Sequence, residues 1–595
     1  MVRRFFTFIA KEVRGLHEAA YLIAFFTLLS QILALVRDKL LAYSFGAGGE
    51  LDVYYAAFRI PDVLFATLSS IVAGSVLVPF FAEKLSDSGV DGHVKIRQFI
   101  DSLFTSLMVV FVPVVIILFF ATPYILDYSM PNLMQGAYAD QLVMVTRILL
   151  LQPLFFGISN FLSSLTQLKH RFFLFAISPV MYNVGIIIGI LFLYPLGGVA
   201  GIACGVVIGS ILHGVLHIPA LVYDKLIPRT VALGKVKWEE MLKVVRTALP
   251  RTLTLSAHQI STFFLVAMAS RMNAGSISIF SFAINLQSVP LTIIGASYSS
   301  AVFPSLSKMA TEGKMKEFIA HMSSAFRHIA FWSFPIVVFS IVLRAQLVRL
   351  ILGAGKFDWA DTRLTAAALA LFIVSAAAQS FILVCVRAYY ARGETRKPLI
   401  MNVTSATLIV VLAYFLTWFY NAYPEVRFFF ESLLRISDLG LGSTTIVMLP
   451  LAYSIGVIFN AYLHWRGIHR DFIEKAVGSE CNTKENRDGL KEEENSVSSA
   501  VNNFQSVYRA GIQSLGASII GGYFSYLVLQ NTDTLFDTHT VLGVLGHGTL
   551  AGSVGVIISI LVLLAIKNTE IKEIWKMLHS KIWKKGVDVI DQMPV

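Results

Sequence analysis

The sequence has few charged residues and few cysteines for its length. Only 14% of its 595 residues are charged, whereas 56% are hydrophobic and the mean hydropathy is +0.70. A soluble protein of this size could not bury so much apolar surface, so the composition predicts an all-α polytopic membrane protein. The three cysteines, Cys204, Cys385 and Cys481, lie far apart, which argues against a disulfide framework and against a cysteine metal cluster.

The sequence also lacks the common catalytic motifs. It has no P-loop, no His-Glu-x-x-His, no Gly-x-Ser-x-Gly and no clustered carboxylate pair in a loop. His213 and His217 have the spacing of helical metal ligands, but no third ligand is near, which favours a packed or pore-facing role. We therefore predict no enzymatic activity, no metal and no cofactor. Any transport would use the membrane potential or an ion gradient, or would run downhill.

Long apolar runs predict about fourteen membrane spans, because about 20 helical residues cross the hydrocarbon core. They form a first group of six, a second group of six and a final pair. The runs are 19–44, 51–82, 99–126, 142–168, 172–194 and 197–222, then 242–270, 277–302, 329–352, 364–390, 399–420 and 443–465, then 510–529 and 541–566.

The polar stretches between these runs predict the domain organisation. Residues 467–505 contain runs of Lys, Glu and Asn, which favours a solvated, disordered cytoplasmic linker. Both ends of the chain have amphipathic, basic patterns typical of interfacial helices. The predicted segments are 1–18 (amphipathic), 19–223 (first lobe), 224–241 (cytoplasmic loop), 242–466 (second lobe), 467–505 (linker), 506–567 (last two spans) and 568–595 (basic tail).

The net charge of +11 lies in short loops, which is a topology signal and does not indicate nucleic-acid binding. With the N-terminus in the cytoplasm, the loops on that side and both tails hold about 31 Lys and Arg, and the opposite loops hold about 4. We therefore predict an even number of spans and two cytoplasmic termini.

The two groups of six resemble each other weakly. The second span has Pro61 and Pro79, and the eighth has Pro290 and Pro304, so each carries a proline near both ends. Paired halves with interrupted helices are typical of alternating-access transporters, whose sites lie between the repeats.

Ionisable residues cluster around the tight turn at 46–49 between the first two spans. Charges that face lipid are costly, so we expect the cluster to face a protein-lined, wet space. Snorkelling at the membrane edge is the alternative, and it fits Lys39 and Asp52 as well as a cavity does. The cluster consists of Arg37, Asp38 and Lys39 before the turn, and Asp52, Arg59 and Asp62 after it.

The second half supplies further polar groups. Arg251 and His258 are seven residues apart in the seventh span and therefore share a helix face, although Arg251 could instead contact headgroups. Asn285 lies in the eighth span, and Arg387 lies near a cytoplasmic end, where snorkelling is favoured. A cavity with several cations and amides suits a phosphate or pyrophosphate, because guanidinium groups match phosphate oxygens.

Several motifs together resemble the MurJ/MviN family of lipid II flippases, in order from about residue 20 to 465. They are the segment 36–47, Asp52, 59–62, 78–83, Ser178-Pro179, Tyr182-Asn183, the glycine-rich stretch 198–209, Leu249-Pro250, Ala274-Gly275, Pro290, 303–308, 353–358, 387–391 and 395–398.

The resemblance implies two six-helix lobes in a V around a cationic cavity, with two C-terminal helices shaping a groove that faces lipid. It also implies transport of an undecaprenyl-pyrophosphate-linked muropeptide to the outer leaflet of the bacterial inner membrane. In a flippase of this type, we expect Arg37 to pair with the pyrophosphate, Asp38 and Asp52 to hold or gate it near the outer end of the cavity, and Gln31 and Asn285 to offer hydrogen bonds. The remaining predicted substrate-binding residues are Ser30, Arg59, Arg251 and His258.

Some positions depart from the family pattern. Three arginines of the family's cavity correspond here to Gln31, Phe65 and Asn285, and Arg251, His258 or Arg59 could supply charge instead. An acidic residue of the second span corresponds to Ser70, and a residue that some members use for sodium corresponds to Leu265, so we predict no sodium site.

Three functions remain open from the sequence. The leading one is a lipid II flippase that works by alternating access. The second is an exporter of another polyprenyl-linked glycan, such as a capsule or O-antigen unit. The third is a non-transporting scaffold that recruits cell-wall synthesis proteins through its linker and tails. Membrane lipids and a lipid-linked oligosaccharide pyrophosphate are the expected partners.

Overall fold

The computed structural model describes residues 16–68, 92–169, 171–231, 236, 238–437, 444–474, 489–537 and 540–583, and these residues are overwhelmingly helical. Twelve stretches among them are long and apolar enough to cross a membrane. The chain is therefore a multi-pass membrane protein, as the composition predicts. The predicted amphipathic helix at 1–18 lies almost entirely outside the described residues.

The first half of the chain contains ten helices. They are α1 (Leu16–Phe45), α2 (Gly49–Ala57), α3 (Arg59–Leu68), α4 (Gly92–Ser129), α5 (Pro131–Met134), α6 (Ala139–Leu149), α7 (Leu151–Leu168), α8 (Phe172–Ile188), α9 (Tyr194–Val215) and α10 (Ile218–Tyr223) in the described residues.

The second half contains twelve more within the described ranges. They are α11 (Trp238–Ala269), α12 (Ser276–Pro290), α13 (Ser297–Thr311), α14 (Met315–Val342), α15 (Arg344–Ile351), α16 (Trp359–Ala391), α17 (Arg396–Ala422), α18 (Pro424–Leu434), α19 (Met448–Ile468), α20 (Gly489–Asn531), α21 (Val541–Ala565) and α22 (Thr569–Trp583).

The twelve apolar stretches are compatible with about fourteen spans. The stretch Phe172–Tyr223 is 52 residues long and contains both the fifth and the sixth predicted span. The second predicted span is described only as far as residue 68. Within this part, Phe58 interrupts the helix between α2 and α3. Part of the predicted linker is helical, because α20 begins at Gly489, and its polar composition did not predict this helix.

The chain divides into two compact units. The first comprises Met1–Ala283, Ile351–Ala368 and Thr395–Ala452. The second comprises Ile284–Leu350, Leu369–Glu394 and Tyr453–Val595. The lobes at 19–223 and 242–466 remain predictions.

An apolar core in the first unit is built where α4, α7 and α11 pack together. These helices are apolar over much of their surface, and their aromatic and aliphatic side chains pack closely against one another. The buried members include Phe99, Leu103, Phe161, Leu165, Val244 and Ala248.

Glycines allow α8 and the π-helical turn that follows it (Gly189–Leu193) to approach α9 closely, and α8 also packs beside α1. A Cβ atom on Gly205 would lie only 2.4 Å from the Cα of Gly189, and one on Gly185 would lie 2.2 Å from the Cα of Gly209. Membrane helices that lack a hydrophobic driving force between them gain stability from such close packing. The glycine-rich composition of α9 therefore has a packing function.

In the second unit, α20 packs on α14, and α21 packs on α20. The Ser514 hydroxyl on α20 donates to the Phe331 carbonyl oxygen at 2.8 Å, and the Ser559 hydroxyl on α21 donates to the Ala517 carbonyl oxygen at 3.1 Å. Helix α22 follows, and its buried Glu570 forms an ion pair with Arg327 at 3.2 Å. Part of the predicted tail thus packs against the protein.

We predict that Gly205→Ala lowers the stability of the protein, because the new methyl group would collide with backbone atoms of Gly189. Such overpacking costs about 1–3 kcal/mol. The midpoint of thermal unfolding in detergent measures the effect. Gly197→Ala is the matched control on the same helix, since no described atom lies within 4 Å of its added Cβ. Equal midpoints for the two variants would contradict the packing account.

Candidate functional site

Helix α1 carries four of the predicted substrate-binding residues. Ser30 and Arg37 are seven residues apart and lie on one face, because seven residues make about two helical turns. Asn183 of α8 joins them, since its Nδ2 donates to the Ser30 hydroxyl at 3.1 Å and its Oδ1 accepts from Arg37 Nη1 at 3.5 Å. The structure therefore brings Ser30 and Arg37 together through a residue that was not among the predicted site residues.

The guanidinium group of Arg37 also contacts its neighbour in the sequence. Its Nε and Nη2 donate to the same Oδ1 atom of buried Asp38, at 2.9 and 2.8 Å. The Arg37 side chain keeps 19% of its surface exposed. A guanidinium group has five N–H donors, so hydrogen bonds remain for an anion after these three contacts.

Asp52 lies in a different setting, because its carboxylate caps a helix. Its Oδ1 accepts from the Ser278 backbone N–H at 2.7 Å and from the Ser278 hydroxyl at 2.6 Å, and its Oδ2 accepts from the Gly275 N–H at 2.6 Å. These donors form the N-terminal end of α12, where the helix dipole favours a negative charge. Asp52 is 3% exposed, so its contacts are made in a protected environment.

Glycine is required at position 275 for this cap. Gly275 has φ +89°, which side-chain-bearing residues rarely adopt. An added Cβ would also lie 2.2 Å from the carbonyl oxygen of Ala47. The turn before α12 therefore touches the turn between α1 and α2 directly.

A second carboxylate holds the same turn from another side. Asp361, near the start of α16, accepts from the Ala47 N–H at 3.0 Å. Gly46 has φ +66°, and a Cβ there would lie 2.6 Å from the carbonyl oxygen of Lys356. The turns at 46–48, 270–275 and 352–358 are thus joined, and we call this arrangement the three-turn latch.

Arg59 contacts one residue of α2 and one of its own helix, α3. Its Nε donates to the Tyr55 carbonyl oxygen at 3.1 Å, and its Nη1 lies 3.8 Å from Asp62 Oδ2. Its side chain is 14% exposed. The predicted cation is therefore present next to α2, and its charge is partly balanced by Asp62.

The other predicted site residues lie on α1, α11 and α12. Gln31 is half-buried on α1 and His258 is exposed on α11. Arg251 lies on α11, but its side chain is outside the described part of the structure. Asn285 is half-buried on α12 and belongs to the second unit.

Sequence reasoning did not identify Asn183, Ser278 or Asp361 as site residues. Asn183 and Gly275 were noticed only as parts of motifs. The sequence did contain one signal for the contact between the turns, which is a glycine in each of three turns predicted to lie on the same side of the membrane. In the structure Gly46, Gly275 and Gly355 all have positive φ.

His213 and His217 are hydrogen-bonded inside the first unit. The Nδ1 of His213 lies 2.5 Å from the Ser159 hydroxyl, and both ring nitrogens of His217 lie 3.1 Å from hydroxyls, those of Thr166 and Ser178. The two side chains are buried. These contacts agree with the packed role that the sequence favoured.

Comparisons with known proteins place these features in a family. The family model described as lipid II flippase MurJ matches residues 41–482. The lipid II flippase MurJ of Burkholderia cenocepacia is 25% identical over 401 residues, which cover 67% of this chain and 77% of that protein. The probable lipid II flippase MurJ of Bdellovibrio bacteriovorus is 29% identical over 416 residues, covering 68% of this chain and 78% of that protein.

Solved structures show the same fold. A lipid II flippase MurJ in an inward closed conformation has a TM-score of 0.68 at 21% identity and covers 92% of this chain and 100% of its own. An inward-facing multidrug resistance MATE family transporter of the MOP superfamily has a TM-score of 0.60 at 16% identity, covering 74% and 94%. Because the family model matches well over half of the 595 residues, the chain belongs to the lipid II flippase MurJ family.

Proposed function

We propose that this protein is a lipid II flippase that moves undecaprenyl-pyrophosphate-linked muropeptide from the inner to the outer leaflet of the bacterial inner membrane by alternating access. The observation that carries the proposal is the match of the lipid II flippase family model to residues 41–482. The polar groups on α1 support it, since Arg37 offers a partly exposed guanidinium group within a helix that otherwise suits lipid. Guanidinium groups bind phosphate oxygens in a bidentate manner.

In this proposal Arg37 holds the pyrophosphate of the substrate. Asn183 and Asp38 position the guanidinium group through the contacts at 3.5, 2.9 and 2.8 Å. A guanidinium group that is already oriented loses less entropy when the ligand binds. Gln31, six residues before Arg37 and half-buried, adds hydrogen-bonding capacity on the same helix.

In this proposal the three-turn latch is the closure at the outer end of the pathway, which must open and close during alternating access. With both termini in the cytoplasm, the turns at 46–48, 270–275 and 352–358 all lie at the outer face. The first turn belongs to the proposed first lobe and the other two belong to the proposed second lobe. Asp52 and Asp361 then close the outer end of the pathway, and release of their hydrogen bonds would open it.

A second candidate substrate is another polyprenyl-linked glycan. It is favoured by Phe65, which occupies the position of a family cavity arginine and packs its ring on Phe156 at 5.4 Å. With phenylalanine in place of that arginine, the surroundings of the substrate have one cation fewer than the family pattern. The pyrophosphate chemistry at Arg37 would be common to both substrates.

Complementation of a conditional lipid II flippase mutant tests the proposed function. We expect the chain to restore growth and to restore lipid II to the outer leaflet, as measured by an in-cell leaflet assay. Failure of the expressed and inserted chain in both readouts would overturn the lipid II assignment. Rescue would show that Gln31, Phe65 and Asn285 are compatible with this substrate.

We predict that Arg37→Ala abolishes complementation, because the substrate loses its bidentate partner. Arg37→Lys keeps the charge but loses the planar fork, so partial activity is expected. Immunodetection in isolated membranes measures expression and insertion, which we expect to remain normal. Full activity of Arg37→Ala would remove this residue from the mechanism.

We predict that Asp52→Asn impairs transport, because an amide replaces the charge that accepts three hydrogen bonds at the start of α12. Hydrogen bonds to charged groups contribute about 1.5–3 kcal/mol each, so the latched state would lose most of its population. The leaflet assay measures the effect. Asp140→Asn is the matched control, since Asp140 is an exposed carboxylate in the first turn of α6. Equal transport by both variants would contradict the latch.

A further inference from the structure

A pocket of about 370 Å³ lies where the C-terminal ends of α11 and α17 pack together in the first unit. It is distant in the sequence from the α1 residues assigned to the substrate. It is lined by two methionines, two threonines, two asparagines, two aromatic residues and one arginine, which are Met268, Met272, Thr417, Thr445, Asn273, Asn421, Tyr414, Trp418 and Arg271. None of its described lining residues carries a carboxylate, so the pocket presents a net positive charge.

Arg271 supplies this charge and is exposed. It lies two residues after the end of α11, and none of the ion pairs formed among the described residues involves it. An exposed guanidinium group without a carboxylate partner keeps its full hydrogen-bonding capacity for a planar or tetrahedral anion. The chemistry of the pocket therefore suits an anion with several oxygen atoms.

Thr417 provides an independent indication of a ligand. Other threonines on α17 donate to carbonyl oxygens one turn earlier, Thr404 to Ile400 at 2.8 Å and Thr407 to Val403 at 3.0 Å. The hydroxyl oxygen of Thr417 is shielded from solvent and has no hydrogen-bond partner among the described residues. A buried hydroxyl without a partner is costly, and rotation of the Thr417 side chain would bring the hydroxyl to a ligand oxygen in the pocket.

The amide of Asn421 also has free donor capacity. Its Oδ1 already accepts from the Thr445 hydroxyl at 2.9 Å, which fixes the orientation of the side chain. The Nδ2 group carries the donors, so the pocket offers N–H groups from Asn421 as well as from Arg271. Both are complementary to phosphate oxygens.

The aromatic residues place the pocket at the level of the lipid headgroups. Trp418 and Tyr414 are 60% and 48% exposed, and such amphipathic rings favour the membrane interface. The Trp418 ring contacts Tyr423, the residue that precedes α18, with centroids 6.4 Å apart. The aromatic surface of α17 therefore continues towards α18.

Helix α18 supports the same placement. Its Glu431 accepts from Arg427 at 2.9 Å and also contacts Thr444, so its polar side is tied to the protein. Its Phe428, Phe429 and Leu433 are exposed at 68%, 60% and 58%. A short helix with this division of side chains lies in the plane of the interface.

We propose that this pocket binds the phosphate of an anionic membrane phospholipid in the outer leaflet, with Arg271 as the cation and Thr417 and Asn421 as hydrogen-bonding partners. The acyl chains would extend along the exposed aromatic surface of α17. The site is separate from the pyrophosphate site at Arg37 and does not depend on transport. It also borders the latch, because Arg271 and Gly275 belong to one turn.

Native mass spectrometry of the purified full chain tests this site. The probes are phosphatidylglycerol and phosphatidylcholine with identical acyl chains. We expect preferential retention of phosphatidylglycerol, and about a tenfold loss of its affinity in Arg271→Gln, the effect expected for the loss of a charge-assisted contact. Lys356→Gln is the matched control, since it removes an exposed cation outside the pocket, and it should bind as the unmodified chain does.

Further arms separate the sources of phosphate. Thr417→Val keeps the side-chain volume, removes the hydroxyl and should weaken phosphatidylglycerol binding. It tests the site independently if Arg271→Gln does not fold. The Arg271 effect should persist in an Arg37→Ala background, because the pyrophosphate site is distinct. Equal binding of both phospholipids, or unchanged binding in both pocket variants, would overturn the proposal. Displacement of phosphatidylglycerol by millimolar inorganic phosphate would also overturn it, since the site would then bind free anions.

Discussion

The carboxylate of Asp52 at the N-terminal end of α12 is the contact on which the arrangement of the outer turns depends. It satisfies two backbone N–H groups and one hydroxyl at distances of 2.6 to 2.7 Å, across 223 to 226 positions of the chain. A helix start in a buried place needs such an acceptor, because its first N–H groups have no partner within the helix. The acceptor comes from a different helix, so the same contact caps α12 and joins two parts of the chain. Asp361 similarly accepts from a backbone N–H of another turn, that of Ala47.

Several ionisable groups of the first unit have an opposite charge beside them. Arg37 contacts Asp38, Arg59 lies near Asp62, and Arg171 forms two hydrogen bonds to Asp224. Pairing lowers the cost of a charge in a membrane protein, and removal of one partner leaves the other uncompensated. Arg37 differs from Arg171 in one respect that matters for function, since its side chain is 19% exposed and that of Arg171 only 3%. The partly exposed Arg37 is the cation that the proposed function assigns to the substrate, whereas the buried Arg171 holds the loop after α10 through Asp224.

Local patterns in the sequence predicted the spans and the ionisable cluster, because hydropathy and charge spacing are properties of neighbouring residues. They could not predict that Asn183 joins Ser30 to Arg37, or that Asp361 holds Ala47, since those contacts span 146 to 314 positions. The helix from Gly489 was missed because its first residues are polar, and polarity alone does not distinguish a solvated helix from a linker. Pro61 did not reveal the interruption at Phe58. It lies in the first turn of α3, where proline is tolerated, so the helix breaks before the proline and not at it.

The accessibility of the latch during transport tests the central claim most directly. Ser276 is 5% exposed at the start of α12, and Ser276→Cys in a chain without its native cysteines gives a small reporter there. A membrane-impermeant maleimide added outside intact cells should label it slowly, and labelling should accelerate when Asp52→Asn is introduced. If both chains are labelled at the same rate, the three-turn latch does not control access from the outer face, and the account of alternating access given for this chain is wrong.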